Sequence, residues 1–157
     1  MRALFLALLP LPAMAACPQD TFLSCPVDGG EWLQVCINAD SFTYAFGPRD
    51  RPDLSLTVPM SAGTVAPWPG VGSAIWSSVG FTNGGYTYEV WASLDRNPDD
   101  ANPQGGVNVL QGDSLLAQRS CAPGSVTTPA FMLEDAMAAA GWCWNLDARR
   151  WGRAPCN

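Results

Sequence analysis

Between residues 31 and 120 the chain alternates brief apolar runs with turn residues, and within several of these runs the apolar positions recur every second residue. A half-buried strand requires that period, because successive side chains point to opposite faces. Leu33, Val35 and Ile37 share one face, with Gln34 and Cys36 on the other. After Ala39-Asp40 the pattern resumes with Phe42, Tyr44 and Phe46, and Gly47-Pro48 stops it. Leu54, Leu56 and Val58 predict a third strand, closed by Pro59, and Ile75, Ser77, Val79 and Phe81 a fourth. Asn83-Gly84-Gly85 is a hairpin signal, since Asn and Gly tolerate the positive φ that such turns require. Tyr86, Tyr88 and Val90 continue beyond it. Residues 107–110 and 115–120 form a last hairpin around Gln111-Gly112-Asp113, and residues 21–24 can add an eighth strand. Short strands with frequent turn signals predict a mainly all-β fold, an antiparallel meander arranged as a small barrel or sandwich.

After Cys121 the pattern changes. Ala122-Pro123-Gly124-Ser125 reads as a linker, and Thr128 suits a helix cap with Pro129 in the first turn. Leu133, Ala136, Met137 and Ala140 follow helical spacing and predict one apolar stripe packed on the sheet. Gly141 fits a left-handed stop, with Trp142 folding back onto Met137.

Export follows from the first residues. Arg2, an apolar stretch over 3–11 and Ala13-Met14-Ala15 have the build of a secretory signal peptide, too short to serve as an anchor. Met14-Ala15-Ala16-Cys17 partly matches a lipoprotein site, but lipidation of Cys17 would leave an odd number of cysteines. The expected organisation is a cleaved leader (1–15), an antiparallel β-domain (16–121) and a helix with a disulfide-closed tail packed on it (122–157). The product would be periplasmic or secreted, monomeric and free of the membrane after cleavage. Six cysteines then read as three disulfides, for which fifteen connectivities exist. Loop length favours Cys143–Cys156 and Cys25–Cys36, leaving Cys17–Cys121 to tie the N-terminal segment to the end of the strand region. No C-x-x-C pair supports a zinc site.

Charge narrows the chemistry. The chain has 8 basic residues, all Arg, against 14 acidic ones, a net charge of −6 that becomes −7 once Arg2 leaves with the leader. Nucleic-acid binding needs clustered cations and is not expected. Histidine is absent, which removes every His-based triad, His–Cys dyad and imidazole metal site.

Several segments together resemble a known group. A Cys in the first strong strand, Tyr44-Ala45-Phe46-Gly47, Asn83-Gly84-Gly85-Tyr86-Thr87-Tyr88 and Gly105-Gly106-Val107 before Cys121 are similar to a family of small exported bacterial disulfide-containing β-proteins. The resemblance implies a fold and carries over no catalytic residue. In architecture alone, the chain also resembles the periplasmic C-type lysozyme inhibitors, which are small disulfide-tied antiparallel barrels.

Candidate chemistry is sparse. Asp95-Arg96-Asn97-Pro98-Asp99-Asp100 opens like a calcium loop, but Asp100 stands where Gly is needed and Gly106 where Glu is needed. A solvated acidic loop, with no bound metal, is the expectation. Glycoside hydrolysis needs two carboxyls about 5–10 Å apart. Glu31, Asp40, Asp53, Glu89 and Asp113 lie in or beside strands, yet nothing marks two as a pair, and Glu89 should point outward. No Gly-x-Ser-x-Gly elbow, Ser-x-x-Lys motif or phosphate loop occurs, so neither catalysis nor a cofactor is expected. Aromatics are the better clue. Pro67-Trp68-Pro69-Gly70 holds a tryptophan in stiff surroundings, suited to anchor a partner or, alternatively, to plug the end of the β-domain. Trp142, Trp144 and Trp151 predict a satellite core around the tail, and Trp32 and Trp91, opposite their strands' apolar faces, are expected under the helix. The reading is a binding protein using Trp68, Asp95 and Asp99, with inhibition of a basic hydrolase such as lysozyme as one role, its acidity steering a basic partner. The rival is a structural or glycan-binding envelope module that stacks sugars on Trp68. A hydrolase would need two interior carboxyls in one pocket.

Overall fold

The computed structural model describes residues 16–97, 99 and 102–155. Strands β1 (Asp20–Pro26), β2 (Trp32–Ile37), β3 (Ser41–Gly47) and β4 (Leu54–Pro59) form a four-stranded antiparallel sheet in chain order. A second, five-stranded sheet holds β5 (Val65–Ala66), β6 (Ala74–Asn83), β7 (Tyr86–Asp95), β8 (Gln104–Gln111) and β9 (Ser114–Ser120), again in chain order. The helix α1 (Met132–Ala139) and a hairpin of β10 (Trp142–Asn145) and β11 (Arg150–Arg153) complete the described chain. All eight strands expected from the alternation are present. The three additional ones, β5, β10 and β11, are four residues long or shorter.

The sheets pack as a sandwich, and the barrel alternative does not form. Leu33, Val35, Phe42 and Tyr44 from one sheet and Val79, Phe81, Val90 and Val107 from the other supply the centre of the core. Each has at most 1% of its surface exposed, so the period of two was set by burial on one face. The Tyr44 ring lies 5.3 Å from Phe81 and 5.6 Å from Tyr88, in tilted geometry. The β6–β7 register pairs Asn83 with Tyr86. Gly84 and Gly85, at φ 58° and 85°, are therefore the two central residues of a tight hairpin turn, where both must be left-handed. A bridge between Val27 and Cys121, with the Ala122 N–H donating to Pro26 O at 2.9 Å, fastens the sheets at one corner.

The disulfides differ from the pairing expected. Cys17 bonds to Cys36 and Cys25 to Cys121. The β1–β2 register explains why Cys25–Cys36 fails. Cys25 sits opposite Leu33, on the core face, whereas Cys36 sits opposite Thr21 and points away. Three residues of β2, Leu33 to Cys36, separate their positions, about 10 Å, against the roughly 7 Å limit for a bridge. Cys121 is held beside β1 by its bridge to Val27, which brings it to Cys25 instead. Cys143 is also disulfide-bonded, while Cys156, its expected partner, lies outside the described residues.

Leu133 and Met137 are fully buried and Ala136 and Ala140 pack at their edges, as the helical stripe requires. Gly141 ends the helix at φ 80°. The start differs: the residue preceding the first turn is Phe131, in the left-handed region at φ 63°. Thr128 does not cap the helix, because its hydroxyl donates to Phe22 O and pins this segment to β1. The tail tryptophans join the main core rather than forming a separate one. Trp142 and Trp151 pack against it, Trp144 meets Trp151 edge-on at 5.3 Å, and Trp151 Nε1 donates to Val65 O at 2.8 Å. Trp32 and Trp91 are not under the helix, which packs on β6 and β10. The Trp32 indole donates to Ser24 Oγ at 3.0 Å and carries the Arg49 guanidinium 4.2 Å from its ring centre. Trp91 lies on the outer face of the five-stranded sheet, opposite Ser78 and Gly106.

Candidate functional site

The proline-flanked tryptophan belongs to the link between β5 and β6, which the chain fixes from three directions. Trp68 Nε1 donates to Val71 O at 2.9 Å and closes the link on itself. Its backbone N–H donates to Glu134 Oε1 on α1 at 3.2 Å. Just beyond β7, the Arg96 guanidinium lies 5.4 Å from the Trp68 ring centre and donates to Gly72 O at 3.1 Å, while the Arg96 backbone N–H donates to Ser73 O at 2.9 Å. Gly70 and Gly72, at φ 83° and 99°, let the link turn sharply enough for these bonds. Trp68 is half-buried, so it is neither a plug nor a free loop residue.

Phe131 completes this corner. Its ring centre is 6.0 Å from that of Trp68, and 41% of its surface is exposed. A bulky residue at φ 63° is unusual, because Cβ crowds the following carbonyl, and here the conformation aims an aromatic ring outward. Val71, 69% exposed, extends the apolar rim.

Glu134 sits behind the rim. Burial pushes its carboxyl pKa up, opposed by hydrogen bonds from its own backbone and from Trp68 and by the Ser77 hydroxyl, with Asp135 adding an upward push. Its Oε2 is buried and makes no hydrogen bond of normal geometry. Glu89 is also held by side-chain hydrogen bonds, accepting from Ser78 Oγ and Asn108 Nδ2, each at 3.1 Å. Ser77 and Ser78 are successive strand residues and face opposite sides of β6. Glu134 and Glu89 are therefore separated by the sheet and do not form a catalytic pair.

Of the residues singled out from the sequence, the fold brings Trp68 and Asp95 to one corner through Arg96. Asp95 Oδ1 accepts the Asn97 N–H at 2.8 Å, and Asn97 Oδ1 accepts the Asp99 N–H at 3.3 Å, so Asp99 is held by the exposed residues that follow β7. Pro98 and Asp100 lie outside the described residues, and among the described residues no three acidic or thiol groups gather to hold a metal. Sequence reasoning missed Arg96, Phe131 and Glu134. Only Glu134 carried a signal, as a carboxyl one residue from the buried Leu133 of the helical stripe. The described helices include none long and apolar enough to cross a membrane. Comparison with protein-family models, curated proteins and solved structures found no match. The two bridges with assigned partners, Cys17–Cys36 and Cys25–Cys121, are the chemistry of an oxidising compartment.

Proposed function

We propose that this chain is an exported, non-catalytic binding protein that docks a partner protein at the Trp68–Phe131 corner, and that a basic hydrolase such as lysozyme is the partner its charge suits. The observation that carries this reading is Phe131: a strained, exposed aromatic placed against an indole that is already hydrogen-bonded in position. Such preorganisation reduces the ordering entropy lost on association, and buried aromatic anchors dominate interface energies. Sugar stacking on Trp68 is less favoured, because Arg96 and Phe131 already flank the ring.

The test is capture of partners from envelope extract on immobilised protein, with lysozyme as a defined probe, followed by affinity measurement across a salt series. A basic partner should associate more slowly as salt rises. Trp68→Ala should weaken the complex by about 2 kcal/mol, or roughly thirtyfold. A complex whose affinity is unchanged by both Trp68→Ala and Phe131→Ala would refute docking at this corner.

A further inference from the structure

We infer that the outer face of the five-stranded sheet is a second binding site, built for a neutral saccharide and seated on the Gly80–Glu89–Asn108 row. The register sets these residues directly opposite one another: Gly80 with Glu89, Glu89 with Asn108, and Asn108 with Gln118. One row along, Ser78, Trp91, Gly106 and Ser120 are opposed in the same way. Beyond that, Trp76 is opposite Ser93, which makes it a diagonal neighbour of Trp91 on the same face. A hollow of about 240 Å³ lies over the first row, walled by Thr64, Thr82, Thr87, Glu89 and Leu110 with Gly80 as floor. A second, of about 460 Å³, lies beyond Trp91 at the corner of the sandwich, between Gln104, Ser120 and the link through Pro123 to Val126.

The chemistry of these walls selects the ligand. Neither hollow is lined by a basic side chain, and Glu89 stands in one, so phosphate, sulfate and carboxylate ligands are disfavoured. Both oxygens of Glu89 are held, by Ser78 and Asn108, which fixes the carboxyl as an acceptor at the wall. Threonine hydroxyls around it both donate and accept, as a polyol requires. Three buried polar atoms at this face, Thr64 Oγ1, Asn108 Oδ1 and Trp91 Nε1, have no hydrogen-bond partner. Such atoms are costly to leave unpaired, and a hydroxylated ligand with its bound water can satisfy them after small side-chain rotations. Trp76, 38% exposed, and the half-buried Trp91 offer indole surface to the apolar face of a sugar ring.

Gly80 provides the discriminating test. Its φ is not left-handed, and an added Cβ would lie 3.5 Å from Thr87 Cγ2 and 3.9 Å from Thr64 Cβ, in ordinary contact. Gly80→Ala and Gly80→Val should therefore fold, and a β-branched residue suits a strand better than glycine. The valine, however, fills the floor of the hollow. Neutral oligosaccharides of glucose, xylose and N-acetylglucosamine, with acidic glycans in parallel, would be titrated calorimetrically into the purified protein. At least one neutral series should bind and the acidic ones should not. Gly80→Val, Glu89→Gln and Asn108→Ala should each weaken binding at least tenfold at unchanged or higher melting temperature for the glycine variants. Trp68→Ala should bind saccharide like the parent, so this site and the docking corner succeed or fail separately. The inference is overturned if no neutral oligosaccharide binds at millimolar concentration, if acidic glycans bind better, or if binding survives both Gly80→Val and Asn108→Ala. Loss of saccharide binding in Trp68→Ala would also overturn it.

Discussion

Phe131 offers the sharpest test of the docking corner, because backbone strain and ring contact can be removed separately. At φ 63° and ψ 11° this residue occupies the left-handed region, which disfavours a Cβ by about 1–2 kcal/mol. Phe131→Ala keeps the Cβ and deletes the ring. It should lose the tilted contact with Trp68, about 0.5–1.5 kcal/mol, with little more because the ring is substantially exposed. Phe131→Gly deletes the ring and also relieves the backbone. Against that gain stands the larger unfolded-state entropy of glycine, about 0.4–1 kcal/mol. The glycine variant should therefore exceed the alanine variant by about 1 kcal/mol and come close to the parent.

Urea unfolding at constant slope reads this difference directly, and for a domain of this size it corresponds to about 2–4 °C in melting temperature. Both variants lack the ring, so both should bind the partner protein more weakly than the parent, although one is nearly as stable. Stability in the order alanine above glycine would show that position 131 is not held left-handed. Parent-like affinity in both would show that the exposed ring is not an anchor.

Two further outcomes follow from the same geometry. The carboxyl of Glu134 has its pKa raised above the ordinary 4.5 by burial. Above that ordinary value the folded state holds the proton more tightly than the unfolded state, so this group's contribution to stability falls as pH rises through the window up to its raised pKa. Glu134→Gln should then melt higher than the parent at pH 7, and the gain should shrink as pH drops toward 4.5; a gain that grows on acidification would reverse the assigned shift. The disulfides close loops of different length, with sequence separations of 96 for Cys25–Cys121 and 19 for Cys17–Cys36. Paired Cys→Ala replacement should cost about 4–5 kcal/mol for the first and about 3 kcal/mol for the second in denaturant unfolding, and the opposite order would contradict the chain-entropy account.

The antiparallel β core was legible, though not the choice between barrel and sandwich: Leu33, Val35, Phe42, Val79 and Val90 recur at the strand period and are all fully buried, whereas β9 is exposed along its whole length. The short strands left no such trace. Val65–Ala66 is too brief to show a period, and Trp142–Asn145 is only half-buried along its apolar part, so neither alternates. Disulfide pairing failed for a related reason. Sequence places Cys36 opposite the face of Leu33 and Val35, but the facing of Cys25 depends on its register with β2, which no local pattern records. Trp68 was visible through its prolines. Phe131 was not, since a bulky aromatic gives no turn signal for the left-handed backbone it adopts.

The outer sheet face was missed for a different physical reason. Alternation identifies buried positions, and the residues left over are read as solvent-facing by default. Here the leftover parity of β6, β7 and β8 carries Trp76, Ser78, Gly80, Glu89, Trp91, Gly106 and Asn108, a set that only pairing register brings into rows. Two of its members are glycines at strand positions where nothing forces a left-handed φ. The Gly106 position is explained by packing, because a Cβ there would meet Arg119 O at 2.3 Å and Ser120 Cα at 3.2 Å. Gly80 has no such crowding, yet glycine weakens a strand interior. A residue that lowers stability without a backbone or packing requirement points to the space above it. That space is the hollow beside Glu89, on the side of β6 away from Glu134 and the docking corner. One strand thus separates two surfaces: Ser77 faces the carboxyl behind Trp68, and Ser78 holds the carboxyl beside Gly80.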